Sequence, residues 1–135
     1  MPVLRTYSLF ICHDWEYSYD YNGICNLLAG ARKFRWENLS VPWHDPLDTD
    51  EMLEKNLRNQ IRPAEVMLVS AGMYSVRSYW MDWEMKFARR IGKRIIGIRP
   101  WGNRQLPIIV QNNAVEIVGW NTSSIVNAIR RYSPR

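Results

Sequence analysis

Glu84 is the side chain in this 135-residue chain best placed to do chemistry. Across residues 78–93, at about 100° per residue, Trp80, Met81, Phe87, Ala88 and Ile91 fall on one side of a helix. Asp82, Lys86, Arg89, Arg90 and Lys93 fall on the other. Glu84 lies on the apolar side, between Trp80 and Ala88. An ionised carboxylate there is costly unless it is paired, solvated in a cleft, or used. Two readings stand: a working acid facing a cleft, or a structural acid that is either buried against an arginine or reaches water from the end of the stripe. The other reactive groups are few. With only His13 and His44, metal catalysis is not expected. Cys12 and Cys25 make neither a disulfide framework nor a zinc site and read as reduced thiols. Cys12 beside His13 is a weak nucleophile–base pair, because neighbours on a strand point to opposite faces.

The elements that must position Glu84 alternate along the chain. Apolar strands are expected over 6–12, 36–41, 65–70, 94–99 and 114–118. Helices are expected over 20–34, 48–61, 78–93 and 125–132. Asp48 looks like an N-cap with Glu51 completing a capping box, and Met52, Leu53, Leu57 and Ile61 face inward. Asn121 to Ser124 supply helix-start residues for the last helix. Pro100, Gly102 and Pro107 mark a loop. Continuous apolar strands joined by helices imply a parallel sheet covered on both faces. The simplest such α/β fold is a flavodoxin-like open sheet of five strands in order 2-1-3-4-5.

In that fold the ligand crevice lies outside the carboxyl ends of strands 1 and 3. Cys12, His13, Asp14 and Trp15 then sit at one part of the rim, and Trp43, His44 and Asp45 at another. The segment 70–79 leads into Trp80 and Glu84, which share a helix face. The odd carboxylate therefore points toward the expected crevice, and the working-acid reading gains.

Other sites for this scaffold are missing from the sequence. There is no Gly-rich loop followed by Lys and Ser/Thr, no GxGxxG after strand 1 and no GxSxG elbow. A phosphoacceptor receiver would carry an Asp after strand 3 and a Lys after strand 5; here Ser70-Ala71-Gly72 and Gly119-Trp120-Asn121 occupy those places. The net charge of +5 arises largely from Arg89, Arg90, Lys93, Arg94, Arg130, Arg131 and Arg135. It reads as solvated helix faces, or as a preference for anionic ligands or an acidic partner. No nucleic-acid motif accompanies it. The apolar run 7–12 is too short for a signal peptide or membrane span, so a single cytoplasmic domain, 1–135, is expected.

On these residues the chain resembles TIR domains, in the TIR-like branch of bacterial Thoeris anti-phage systems. The first family box is similar to Phe10-Ile11-Cys12-His13-Asp14, and the loop after strand 2 to residues 41–48. The Trp-x-x-x-Glu spacing is similar to Trp80-Met81-Asp82-Trp83-Glu84. Cys12 stands where the family usually has Ser, and the loop around Trp43 departs from common versions.

The resemblance implies cleavage of the nicotinamide–ribose bond of NAD, with NAD as substrate and no cofactor. Glu84 would be the catalytic residue. The implied product is a cyclic ADP-ribose-type signal that reaches a separate effector protein by diffusion. A phage-derived trigger and self-association are implied partners; nucleic acid and membrane are not. Phe10, Cys12, His13, Asp14, Trp43, His44, Asp45, Tyr74 and Trp80 are the candidate substrate-binding residues. For several a plainer role competes. Trp80 walls the pocket or belongs to the core, and Trp43 stacks on a ring or makes an assembly contact. His13, Asp14, His44 and Asp45 hold ribose or phosphate, or else the two acids cap helices and turns. The competing function is a non-catalytic TIR scaffold acting by self-association, with Glu84 structural.

Overall fold

In the computed structural model, which describes residues 5–12, 19–40, 49–70, 78–100 and 107–134, the apolar runs pair side by side. The strands are β1 (Thr6–Cys12), β2 (Arg35–Asn38), β3 (Val66–Ser70), β4 (Arg94–Ile98) and β5 (Glu116–Val118). The helices are α1 (Tyr19–Ala29), α2 (Asp50–Ile61), α3 (Ser78–Arg90), α4 (Ile108–Asn113) and α5 (Thr122–Tyr132). The strands form one parallel sheet in order β2-β1-β3-β4-β5, the order expected. Every residue of β3 is buried, as are the last four of β1 and of β4. Such continuous burial is what a strand covered on both faces requires.

Right-handed crossovers put α1 and α5 on one face and α2, α3 and α4 on the other. The contacts agree: α1 packs on α5, α2 on α3, and α3 on α4. Ile125, Val126, Ala128 and Ile129 bury one stripe of α5. Its start is capped by Asn121, whose side chain accepts from Ser124 N at 2.8 Å. The Thr122 hydroxyl donates to Leu27 O at 2.6 Å and ties α5 to α1. The segment leading into α5 packs closely on α1 at Gly23, where an added Cβ would lie 2.5 Å from Cζ2 of Trp120.

Several boundaries differ from the sequence expectation. Thr49 caps α2, accepting from Met52 N at 3.2 Å, so the helix starts after position 48 and position 51 is not the third helical residue. Met52 is 52% exposed; Leu53, Leu57 and Ile61 carry the buried stripe. Helix α1 stops at Ala29 rather than 34. Gly30 and Ala31 close its last turn on Asn26 and Leu28, and Lys33 turns the chain with φ of 52°. Strand β2 ends at Asn38 because its side-chain oxygen accepts from Ser40 N at 3.0 Å, a local bond that competes with the ladder. Between β4 and β5 stands α4, which the periodicity did not announce. Its C-cap Ala114 donates to Val110 O at 2.9 Å, so β5 starts at Glu116 rather than 114.

Helix α3 ends in a Schellman motif. Lys93 N donates to Ala88 O at 2.8 Å and Gly92 N to Arg89 O at 3.1 Å, with φ of 82° at Gly92. A Cβ at Gly92 would meet nothing within 4 Å, so its only cost is conformational. Gly92→Ala is expected to lower stability by about 1 kcal/mol, measured by urea unfolding. Gly92→Asn is expected to lose less, since Asn tolerates that conformation better.

Candidate functional site

The site is assembled by the last residue of β1, the end of β3 and the first half of α3. In β1, Phe10 and Cys12 share a face by the two-residue period. Cys12 pairs in register with Val69, and Ser70 follows at the end of β3. Helix α3 packs on β1 and β4. The Cys12 thiol donates to Met81 O at 3.8 Å, one turn before Glu84. The Glu84 carboxyl therefore lies against Cys12 at the carboxyl end of β1. This is where the strand order reverses, between β1 and β3.

The stripe of α3 that holds Glu84 is otherwise apolar: Met81, Met85, Phe87 and Ala88 are buried. Beside it runs an aromatic ladder. Trp80 meets Tyr79 edge-on with centroids 5.0 Å apart and Trp83 at 5.9 Å, and Trp83 stacks on Phe87 at 5.5 Å. Burying each large apolar side chain yields roughly 1.5–3 kcal/mol. The helix cannot turn Glu84 outward without exposing Met81 and Met85. Glu84 is accordingly 1% exposed, and its Oε1 has no hydrogen-bond partner. No cation pairs with it among the described residues.

The carboxyl adapts by holding a proton. Burial pushes its pKa up to about 8, against a smaller lowering from the Cys12 thiol. Protonating an ordinary carboxylate at pH 7 costs about 3–4 kcal/mol, less than burying a bare charge. Burial also raises the Cys12 thiol well above its ordinary value, and the neighbouring Glu84 charge adds to this. A thiol carries one proton, so the Met81 carbonyl and the Glu84 carboxyl compete for it. Cys12 is therefore a packed neutral thiol, not an activated nucleophile.

Glu84, Cys12, Phe10 and Trp80 are thus brought to one corner of the sheet. Phe10, 2% exposed, and Cys12, 0% exposed, belong to the core, and Trp80 is half-buried and packed against it. His13, Asp14, Trp43, His44, Asp45 and Tyr74 lie outside the described residues. Ser70, fully buried at the end of β3, is a rim residue that the sequence did not single out as a site. Its position next to the Val69–Cys12 pair was the available signal. No group of three or more His, Cys, Asp or Glu residues suited to a metal occurs among the described residues. No helix among them is long and apolar enough to cross a membrane.

Comparison with known proteins agrees with this architecture. The family described as Thoeris protein ThsB, TIR-like domain, matches residues 10–105, a span that runs from the end of β1 through β4 and includes Glu84. No curated protein matches the chain. Among solved structures, a 2-deoxyribosyltransferase from Bacillus psychrosaccharolyticus is similar at 10% identity and a TM-score of 0.52. The match covers 87% of this chain and 90% of that one, and it shows the fold alone.

Proposed function

This chain belongs to the TIR-like domain family of the Thoeris protein ThsB, with a role in anti-phage defence, and on that premise we propose that it is an NAD-consuming enzyme with Glu84 as its catalytic residue. The observation that carries this reading is a carboxyl with an unsatisfied oxygen at the sheet's switch point. The bond to break is the one from ribose C1′ to the pyridinium nitrogen. Its electron pair leaves with nicotinamide, which departs neutral and needs no proton. A general acid is therefore unnecessary, and help is needed only for the oxocarbenium-like ribose. A carboxylate beside that ribose stabilises the developing positive charge and binds its hydroxyls.

Only the ionised form can do this. With its pKa raised to about 8, Glu84 is mainly protonated at neutral pH in the closed arrangement. A pyridinium cation at the site favours the ionised form, as would any opening that admits water. The closed domain is thus chemically disarmed until substrate, a phage-derived trigger or self-association rearranges the rim. Once the ribose cation forms, water yields ADP-ribose and a proton. Where water is excluded, an adenine nitrogen or ribose hydroxyl of the same molecule attacks instead, giving a cycle. A diffusible cyclic product would reach a separate effector protein.

The burial of Glu84 also favours a second reading, in which the acid is structural and the domain is a scaffold. Incubating concentrated protein with NAD separates the two. Release of nicotinamide with an ADP-ribose-type product supports the enzyme. Concentration-dependent assembly without turnover, coupled with no NAD-derived product in phage-infected cells carrying the gene, supports the scaffold.

A further inference from the structure

A polar hollow lies at the end of the sheet opposite Glu84. It is about 590 Å³ and is lined by Glu65, Arg94, Lys93, Arg131, Ser133 and Tyr132, with Ile91, Gly92 and Pro134 completing it. Glu65 precedes β3 and Arg94 opens β4, so the hollow lies at the amino ends of the central strands. At about 3.3 Å per strand residue, the length of the sheet separates it from the carboxyl end of β1.

Two of its four charged residues are already committed. Glu65 pairs with Arg5, which also donates to Pro134 O, and Arg131 pairs with Glu116. Tyr132 donates to the same Glu116 oxygen at 2.9 Å. Lys93 and Arg94 have no carboxylate partner among the described residues. They are fixed side by side because the Schellman turn ends α3 at one and β4 begins at the other. Ser133, only 9% exposed, presents a buried hydroxyl with no hydrogen-bond partner. That oxygen is closed to solvent, so the polar groups open to the hollow are those of its charged residues.

We propose that this hollow is a binding site for a phosphate-bearing anion, with Lys93 and Arg94 neutralising the phosphate. An arginine fork beside an ammonium suits phosphate oxygens. The volume exceeds that of a single inorganic phosphate and falls in the range of small-molecule sites, so the ligand class extends to nucleotides. The site is distinct from Glu84.

Isothermal titration at low salt with pyrophosphate, ADP and adenosine tests this. Saturable binding of pyrophosphate is expected, weakened at least tenfold in the Lys93→Ala/Arg94→Ala variant. Tighter binding of ADP than pyrophosphate would identify a nucleotide; equal binding would identify a bare polyphosphate group. Unfolding midpoints check that the variant folds, and neither position is buried. Absence of saturable pyrophosphate binding overturns the proposal. So does binding that survives the double substitution, or adenosine binding as well as ADP.

Discussion

Glu84→Gln is expected to reduce nicotinamide release by a hundredfold to a thousandfold or more, the scale lost when one stabilising group is removed from a transition state. Glutamine keeps the size and hydrogen-bonding character of the protonated carboxyl but cannot carry charge. The variant should therefore fold as well as the parent at neutral pH. Nicotinamide measured chromatographically after incubation with NAD, under whatever condition gives the parent turnover, is the direct readout. Turnover equal to the parent's would remove Glu84 from the mechanism. Loss of turnover together with loss of fold would be uninformative, so a circular dichroism spectrum belongs with the assay.

Stability should fall as pH rises through the neutral range, and Glu84 should be the cause. Its folded pKa of about 8 lies above the ordinary carboxylate value of 4.5. Below the ordinary value both folded and unfolded chains hold the proton, and Glu84 imposes no pH dependence. Between the two values the unfolded chain has released its proton while the folded chain keeps it, so rising pH favours unfolding. The limiting slope is about 1.4 kcal/mol per pH unit, and above the folded value the penalty is complete. Other groups titrate as well, so the measurement is a difference. Urea midpoints of parent and Glu84→Gln should diverge steadily from mildly acidic to mildly alkaline pH, the variant becoming the more stable. Parallel curves would mean that the carboxyl is already ionised, and hence solvated or paired.

These two expectations join the parts of the site that the sequence exposed and the part it hid. Position 84 was visible because helical periodicity places it among Met81, Phe87 and Ala88, and the strand pattern alone leads to the sheet order. The depth of burial was not visible. It depends on Cys12 and Phe10 from β1 closing over α3, and periodicity within one helix says nothing about what faces it. The cleft-facing acid expected from sequence is, in this arrangement, a covered acid without an arginine. Helix α4 escaped because six residues are too few to display a helical period. The ends of α1 and β2 escaped because Lys33 and the Asn38 side chain impose local geometry that hydrophobic spacing does not record. Met52 was misplaced because its apolar type was weighed above its angle: at about 100° per residue it lies well off the stripe of Leu53, Leu57 and Ile61.

The contact between Gly23 and Trp120 links two places 97 positions apart in the chain. Neither can change size alone: any side chain at position 23 would collide with the indole, and a smaller ring at 120 would leave a gap against α1. In diverged members of the lineage the two positions should covary, bulk at one accompanied by reduction at the other. Grafting either α1 or the segment 119–132 that carries Trp120 and α5 from a relative into this chain should succeed only when both positions travel together.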